Sequence, residues 1–287
     1  MASGYEQELT EKVVATVEGC ANPRLRQVVG SLVRHVHAFV RDVEPTEDEW
    51  AVATKFLADT GRMCSDQRQE FNLLSDILGV TMLVDAINHQ APDGTSESSV
   101  LGPFYRAGAA TMPTGASISQ DGAGDPLIVS GRVTSVAGQP IAGALLDVWQ
   151  TAANGLYENQ DDNQPDMNLR GRFATGRDGH YEFRSVLPVS YPIPSDGPVG
   201  QLLRALGRHP YRPAHTHFII TAEGYVPLTT QLFMRGDKYL DSDAVFGVKQ
   251  SLIVDAARHD SAEEARKRNL SRPFYTVSYD FALKKAA

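Results

Sequence analysis

Arg212-Pro-Ala-His-Thr-His-Phe-Ile-Ile-Thr221 is the stretch of this chain whose reading decides the fold. The run after His217 is apolar and β-branched, bounded by Pro213 upstream and Glu223-Gly224 downstream, so it reads as a strand. Residues i and i+2 of a strand share a face, which lets both imidazoles reach one metal ion. The competing reading is two polar side chains on the solvated face of a half-buried strand. A second His-x-His, His35 and His37, lies in an apolar run of helical period (Val28, Val29, Leu32, Val33, Val36, Phe39, Val40). On a helix i and i+2 diverge by roughly 200°, so that pair is not expected to share a metal.

The bulk composition sets limits on the rest. A chain of 287 residues is long enough for a buried core, as one large domain or two modest ones. With 42% hydrophobic and 22% charged residues it is an ordinary globular composition, and a net charge of -8 argues against nucleic acid or an anionic membrane as partner. Cys20 and Cys64 are the only cysteines, so no disulfide framework is implied. The start Met-Ala-Ser-Gly-Tyr-Glu-Gln-Glu lacks the basic and apolar regions of a signal peptide, and no apolar run approaches the ~18 residues of a membrane span. A cytoplasmic protein without membrane insertion is expected.

Working outward, two textures meet near residues 90 to 100. From about residue 5 to 90 the pattern is helical, with roughly four helices. Asn22-Pro23 places a capping side chain before a proline at the first helical position. Thr46 with Glu49 reads as a capping box opening the helix of Trp50, Ala53, Phe56 and Leu57. Asp66 with Gln69 repeats the signal before Phe71, Leu74, Ile77, Leu78 and Leu83. After the loop Pro92-Asp93-Gly94-Thr95-Ser96, short apolar runs alternate with glycine and proline. They include Leu127-Ile128-Val129, Gly131-Arg132-Val133, Gly143 to Gln150, Arg172 to Thr175 and Tyr181-Glu182-Phe183, and Asp178-Gly179 favours a turn between paired strands. The expectation is a mainly β protein: an N-terminal α-helical domain over 1–95 and an antiparallel β-sandwich or barrel over 96–287. No βαβ alternation or glycine-rich phosphate loop is present, so a nucleotide cofactor is not expected.

Two neutral histidines seldom hold a metal alone. A zinc hydrolase wants a third His, Cys or carboxylate, and a ferrous oxygenase wants a facial carboxylate. Both cysteines lie in the helical half, and the nearest carboxylate is Glu223. Tyrosine is the other donor: Tyr157, Tyr191, Tyr211 and Tyr225 all lie in the β half. A phenolate suits a trivalent cation, and its usual pKa near 10 falls on coordination. Each of these tyrosines has the alternative of being an amphipathic packing residue.

The segments Leu101-Gly-Pro-Phe-Tyr105, Leu146-Asp-Val-Trp-Gln150, Gly155-Leu-Tyr157, Gly171-Arg-Phe173, Tyr191-Pro-Ile-Pro-Ser-Asp-Gly-Pro198 and Arg212-Pro-Ala-His-Thr-His217, followed by Gln231 and by Gly236-Asp-Lys-Tyr239, resemble in content and order the intradiol ring-cleavage dioxygenases. The likeness covers nearly the whole chain. Leu73-Leu-Ser-Asp76 with Leu78-Gly79, and Tyr191-Pro-Ile-Pro194, resemble the hydroxyquinol-cleaving branch. The resemblance implies a ferric ion, Fe(3+), held by Tyr157, Tyr191, His215 and His217, with a small aromatic diol or triol and O2 as substrates. It implies Arg212, Tyr191 and Gln231 as the chemically active side chains, and a substrate pocket of Leu73, Asp76, Val100, Leu101, Gly102, Pro103, Phe104, Ile193, Pro194 and Arg212. It further implies a homodimer through the N-terminal helices and a phospholipid at the helical interface.

In that family chemistry Tyr191 leaves the metal to take a substrate proton, while Tyr157 and the histidines stay. Arg212 would stabilise negative charge developing on the ring; its alternative is a surface ion pair. Gln231 would orient His217 or bound oxygen, or serve as a buried structural amide. Asp76, costly to bury unpaired, would welcome an extra ring hydroxyl, which favours 1,2,4-trihydroxybenzene; its alternative is a helix-surface residue or an arginine partner. Rival readings are a catechol or chlorocatechol 1,2-dioxygenase, a ferrous cupin-type oxygenase, and a binding sandwich without catalysis.

Overall fold

The structure is a computed structural model that describes residues 4–65, 68–90, 94–271 and 273–286. Its contacts gather into two compact units that divide between Asp59 and Thr60.

The first unit is helical, with α1 (Gly4–Ala15), α2 (Pro23–Val43) and the start of α3 (Glu47–Arg62). Asn22 caps α2, its side chain accepting from the amides of Arg24 and Leu25, and Pro23 opens the helix. The Thr46–Glu49 box forms in both directions, with Glu49 Oε2 accepting from the Thr46 amide (2.8 Å) and Thr46 Oγ1 from the Glu49 amide (3.3 Å). His35 donates from Nδ1 to the Ser31 carbonyl, while His37 Nδ1 lies 3.0 Å from Thr10 Oγ1. The two rings thus serve different partners, as helical spacing requires.

The second unit takes in the end of α3, then α4 (Glu70–Ile77) and α5 (Val80–Asn88) ahead of its strands. Gln69 precedes α4 without a side-chain cap; Asp66, read with it as a capping signal, lies outside the described residues, as do Pro92 and Asp93 of the expected loop. The remaining elements are β1 (Thr111–Met112), β2 (Pro126–Ser135), β3 (Leu145–Trp149), β4 (Arg170–Ala174), β5 (His180–Val186), β6 (Tyr191–Pro192), α6 (Pro198–Ala205), β7 (Tyr211–Arg212), β8 (His215–Thr221), β9 (Leu228–Met234), β10 (Ile253–Val254), β11 (Ala257–His259), α7 (Ala262–Arg268), β12 (Phe274–Ser278) and β13 (Phe281–Leu283). One sheet runs β1-β4-β3-β8-β9-β10; a second runs β11-β12-β2-β13 with β5 also on β2; β6 and β7 form a two-stranded sheet pairing Tyr191 with Arg212.

The pairing is antiparallel at the centre of the first sheet and parallel at its margins, β1 with β4 and β10 with β9. β12 and β13 also run parallel to β2, pairing Leu127–Ser130 and Val133–Ser135 in succession along one edge. The antiparallel expectation holds for most of the pairings, and these parallel ladders make the sheets mixed. A Cβ on Gly131 would collide with the Tyr279 carbonyl as the chain passes between those two ladders, which is why glycine interrupts an otherwise apolar strand. Gly179 has a positive φ, so the Asp178-Gly179 turn forms as read. Its flanking strands do not pair: β4 joins β3 and β5 joins β2. A shared core of Leu127, Val129, Leu146, Val148, Phe173, Phe183, Phe218 and Ile220 fills the second unit.

β8 has two buried faces, which is why its run is apolar rather than alternating. Phe218 and Ile220 point into that core. His215 and His217, with Trp149 opposite His217 on β3, point to the other side, among Phe104, Tyr105, Tyr157, Tyr191 and Ile219.

Candidate metal centre

His215 and His217 are 2% and 1% exposed, which removes the solvated-face reading. His215 Nδ1 donates to the Pro213 carbonyl at 2.7 Å, so its Nε2 carries the lone pair. That atom lies 3.0 Å from His217 Nε2. Tyr157 Oη lies 2.9 Å from His217 Nε2 and 3.1 Å from Tyr191 Oη. Four donor atoms thus follow one another at about 3 Å. Donors about 2 Å from a common metal ion stand at about such separations. Tyr211 and Tyr225, equal candidates on composition, are elsewhere: Tyr211 stacks on Tyr239 at 4.7 Å, and Tyr225 bridges to Lys285.

Burial holds both imidazoles well below the usual histidine range, and the Arg212 charge adds to this, so both are neutral ligands in waiting. Burial pushes both phenols up. Tyr191 adds to the cost of ionising Tyr157, while Arg212 and Arg170 pull that group the other way; for Tyr191, the Arg212 charge and the Tyr157 hydroxyl both pull its pKa down. Buried phenols beside buried neutral imidazoles need a strong Lewis acid to ionise. The donor set therefore fits a hard, highly charged cation. Tyrosine is also what carries the site beyond His, Cys, Asp and Glu, for no group of three of those gathers among the described residues.

The supports around the four donors were only partly legible. The Trp149 ring stacks on His217 at 4.6 Å and 10°, and Phe104 stacks on Tyr157 at 4.6 Å. Gly102 has a φ of +76°, and a Cβ there would come within 3.3 Å of the His217 ring; glycine lets the loop lie on the ligand. Glu158, next to Tyr157, receives Arg170 Nε at 2.8 Å in a buried pair and also Arg106. His217 Nδ1 is buried without a partner among the described residues.

Arg212 is buried rather than a surface ion pair. Burial works against its charge, but Asp243 and the facing phenols more than offset this and keep it protonated. Gln231 stands opposite His217 in the β8–β9 register, yet its side chain is spent elsewhere. Its Oε1 accepts from Arg212 Nη2 (2.8 Å) and its Nε2 donates to the Val100 carbonyl (2.5 Å), so the expected orientation of His217 by Gln231 is replaced by a link between the guanidinium and the cleft wall. Asp243, 31 residues beyond Arg212, carried no local signal that could have found it.

A cleft of about 360 Å3 takes in Leu73, Asp76, Val100, Leu101, Gly102, Pro103, Phe104 and Pro194. Ile193 packs beneath it with Leu73 and Val100 rather than lining it. Gly102 and Phe104 carry the cleft onto His217 and Tyr157. Asp76 is half-buried there; burial raises its pKa, while the Thr81 hydroxyl and the Arg212 charge draw it back. It forms no ion pair with an arginine among the described residues.

Mixed β-sheets with helices ahead of them in sequence bring two tyrosines and two histidines to one point, a donor set that would suit a metal-dependent enzyme. Residues 100–285 match the family model described as Dioxygenase, and residues 22–96 match Catechol dioxygenase N terminus. The chain belongs to the intradiol ring-cleavage dioxygenases. It is similar to hydroxyquinol 1,2-dioxygenase of Rhizobium sp. strain MTP-10005, at 51% identity over 98% of this chain and 96% of that one. It is also similar to 6-chlorohydroxyquinol 1,2-dioxygenase of Cupriavidus pinatubonensis, at 47% identity over 97% and 98%. The solved structure of hydroxyquinol 1,2-dioxygenase from Pseudomonas putida DLL-E4 superposes with a TM-score of 0.93 at 47% identity, covering 98% of this chain and 99% of that one.

Proposed function

We propose that this enzyme cleaves hydroxyquinol with O2, between the two adjacent hydroxyl-bearing carbons, to 3-hydroxy-cis,cis-muconate, the tautomer of maleylacetate. The observation that carries the reading is the meeting of Tyr157, Tyr191, His215 and His217 at about 3 Å spacing, beside a cleft that holds Asp76 and whose Gly102 and Phe104 touch His217 and Tyr157. These four residues would hold Fe(3+), which would supply a Lewis acid to the two adjacent hydroxyls of the substrate.

The chain's own residues do the rest. Tyr191, once ionised at the metal, would take a substrate proton at Oη; that oxygen lies 3.1 Å from Tyr157 Oη, and its ring lies against His215. Arg212 Nη1, 3.2 Å from His215 Nε2, faces negative charge that develops on the ring. Asp76 accepts a hydrogen bond from the third ring hydroxyl, and the apolar wall of Leu73, Val100 and Phe104 excludes water. The 47–51% identity to hydroxyquinol- and chlorohydroxyquinol-cleaving relatives supports this substrate over catechol or chlorocatechol.

The same reading places the enzyme in the cytoplasm as a homodimer through its N-terminal helices, with a phospholipid at the interface. Leu25, Val28, Leu32, Val36, Phe39 and Val43 supply an apolar face along α2, and no helix of the described residues is long and apolar enough to cross a membrane. A sedimentation mass near that of one chain would overturn the dimer, and solvent extraction with mass spectrometry tests the lipid.

The deciding experiment is the visible spectrum of the iron-loaded enzyme before and after anaerobic hydroxyquinol. A broad tyrosinate-to-iron band that shifts on addition is expected; a colourless protein would sink the ferric assignment. Asp76→Ala should lower kcat/KM for hydroxyquinol relative to catechol by about 10- to 100-fold, the worth of one hydrogen bond to a charged group. An unchanged ratio would remove Asp76 from substrate choice.

A further inference from the structure

Arg212 can act on the ring only if its guanidinium is held at one angle, and the structure shows how that angle is set. Asp243 is buried and meets Arg212 side-on, with Nε to Oδ1 at 3.1 Å and Nη2 to Oδ2 at 3.2 Å. Such a two-point fork fixes the plane as well as the position of the guanidinium. Asp243 is itself fixed, for Oδ1 accepts from the Val245 amide (3.3 Å) and Oδ2 from the Gly247 amide (2.9 Å). The edge of Arg212 turned away from Asp243 points Nη1 at His215 Nε2, while Nη2 also reaches Gln231 Oε1. Gly247 completes the cradle: a Cβ there would stand 2.8 Å from Arg212 Nη2 and 3.2 Å from Asp243 Oδ2.

We propose that Asp243 is the positioning residue for Arg212, aiming its free edge at the donor cluster while the amides of the 243–247 turn hold Asp243 still. This deepens the dioxygenase reading and rests on it. Asp243 does not touch the donor atoms; it acts through the guanidinium.

The test uses the iron-loaded enzyme and the variants Asp243→Asn, Gly247→Ala and Arg212→Lys. Asparagine keeps the shape but turns a donor toward Nη2, and alanine at 247 displaces the guanidinium with the Asp243 charge intact. Both should keep iron content and the visible band, and lose about 10- to 100-fold in kcat with KM changed far less, as small misplacements of a charged group do. Asp243→Asn combined with Arg212→Lys should be no slower than Arg212→Lys alone. Wild-type kcat in Asp243→Asn, or losses that multiply in the double variant, would overturn the proposal.

A crystal structure of Asp243→Asn, or of Gly247→Ala if the first does not fold, decides the point independently of turnover. Arg212 should turn away from the donor cluster and leave Gln231 Oε1; an unmoved guanidinium refutes the positioning role. Failure of the dioxygenase reading would instead show as no oxygen uptake by the unaltered enzyme.

Discussion

Under the proposed ferric assignment, Tyr157→Phe is expected to abolish iron binding and the visible band together, with activity down by at least about 100-fold. Removal of even an outer supporting group around a metal typically costs about 10- to 100-fold, and this change removes a donor itself. Tyr157 Oη is the middle of the donor chain, 2.9 Å from His217 Nε2 and 3.1 Å from Tyr191 Oη, so its loss separates the histidine pair from the second phenol. The ring that stacks on Phe104 at 4.6 Å survives the substitution, so the fold should survive too. Iron analysis and the visible spectrum check this, with Tyr211→Phe as a control. A Tyr157→Phe enzyme with full iron and an unaltered band would show that the phenol is a packing residue.

The second large effect concerns stability. Arg170→Met is expected to destabilise the protein by about 3–5 kcal/mol, because it strands the carboxylate of Glu158 in the interior. Both side chains of that pair are almost wholly buried, at 1% and 2% exposure. Arg106 Nη1 still reaches Glu158 at 2.6 Å but is itself 35% exposed, which places the loss nearer the lower end. Replacing both partners, Arg170→Met with Glu158→Leu, should recover most of it, since apolar pairs of similar size replace buried ion pairs at little cost. Denaturant unfolding monitors both. An Arg170→Met protein as stable as the parent would mean that Glu158 is neutralised by Arg106 alone.

Particular residues show where sequence reading stops. Asn22-Pro23 and Thr46 with Glu49 wrote their helix starts into a few adjacent side chains, and the structure uses them so. Asp178-Gly179 marked a turn correctly, because positive φ at glycine is local, but not that its strands belong to different sheets. The parallel placement of β12 and β13 on β2 joins segments about 150 residues apart, and no short-range pattern carries such a pairing. Gly131 looked like a break in a strand; the approaching Tyr279 carbonyl explains it only once both are in place.

The candidate site divides along the same line. His-x-His on a strand defined a two-point ligand from spacing alone, because side-chain alternation is a property of the backbone. Which of four tyrosines completes the set lay beyond spacing, and only the ordered motifs, through their resemblance to a family, named Tyr157 and Tyr191. Gln231 was found, but its partners were not: register puts it opposite His217, while packing turns its amide to Arg212 and Val100.

By itself, then, the sequence determined the helical start, the β-rich remainder, the histidine pair and the family, all of which rest on local periodicity or ordered motifs. The tertiary structure alone decided the mixed sheets, the burial of both faces of β8, and the Asp243–Arg212 and Glu158–Arg170 pairs. Those depend on which distant segments exclude water from one another, and a buried charge finds its partner only where the folded chain brings one within reach.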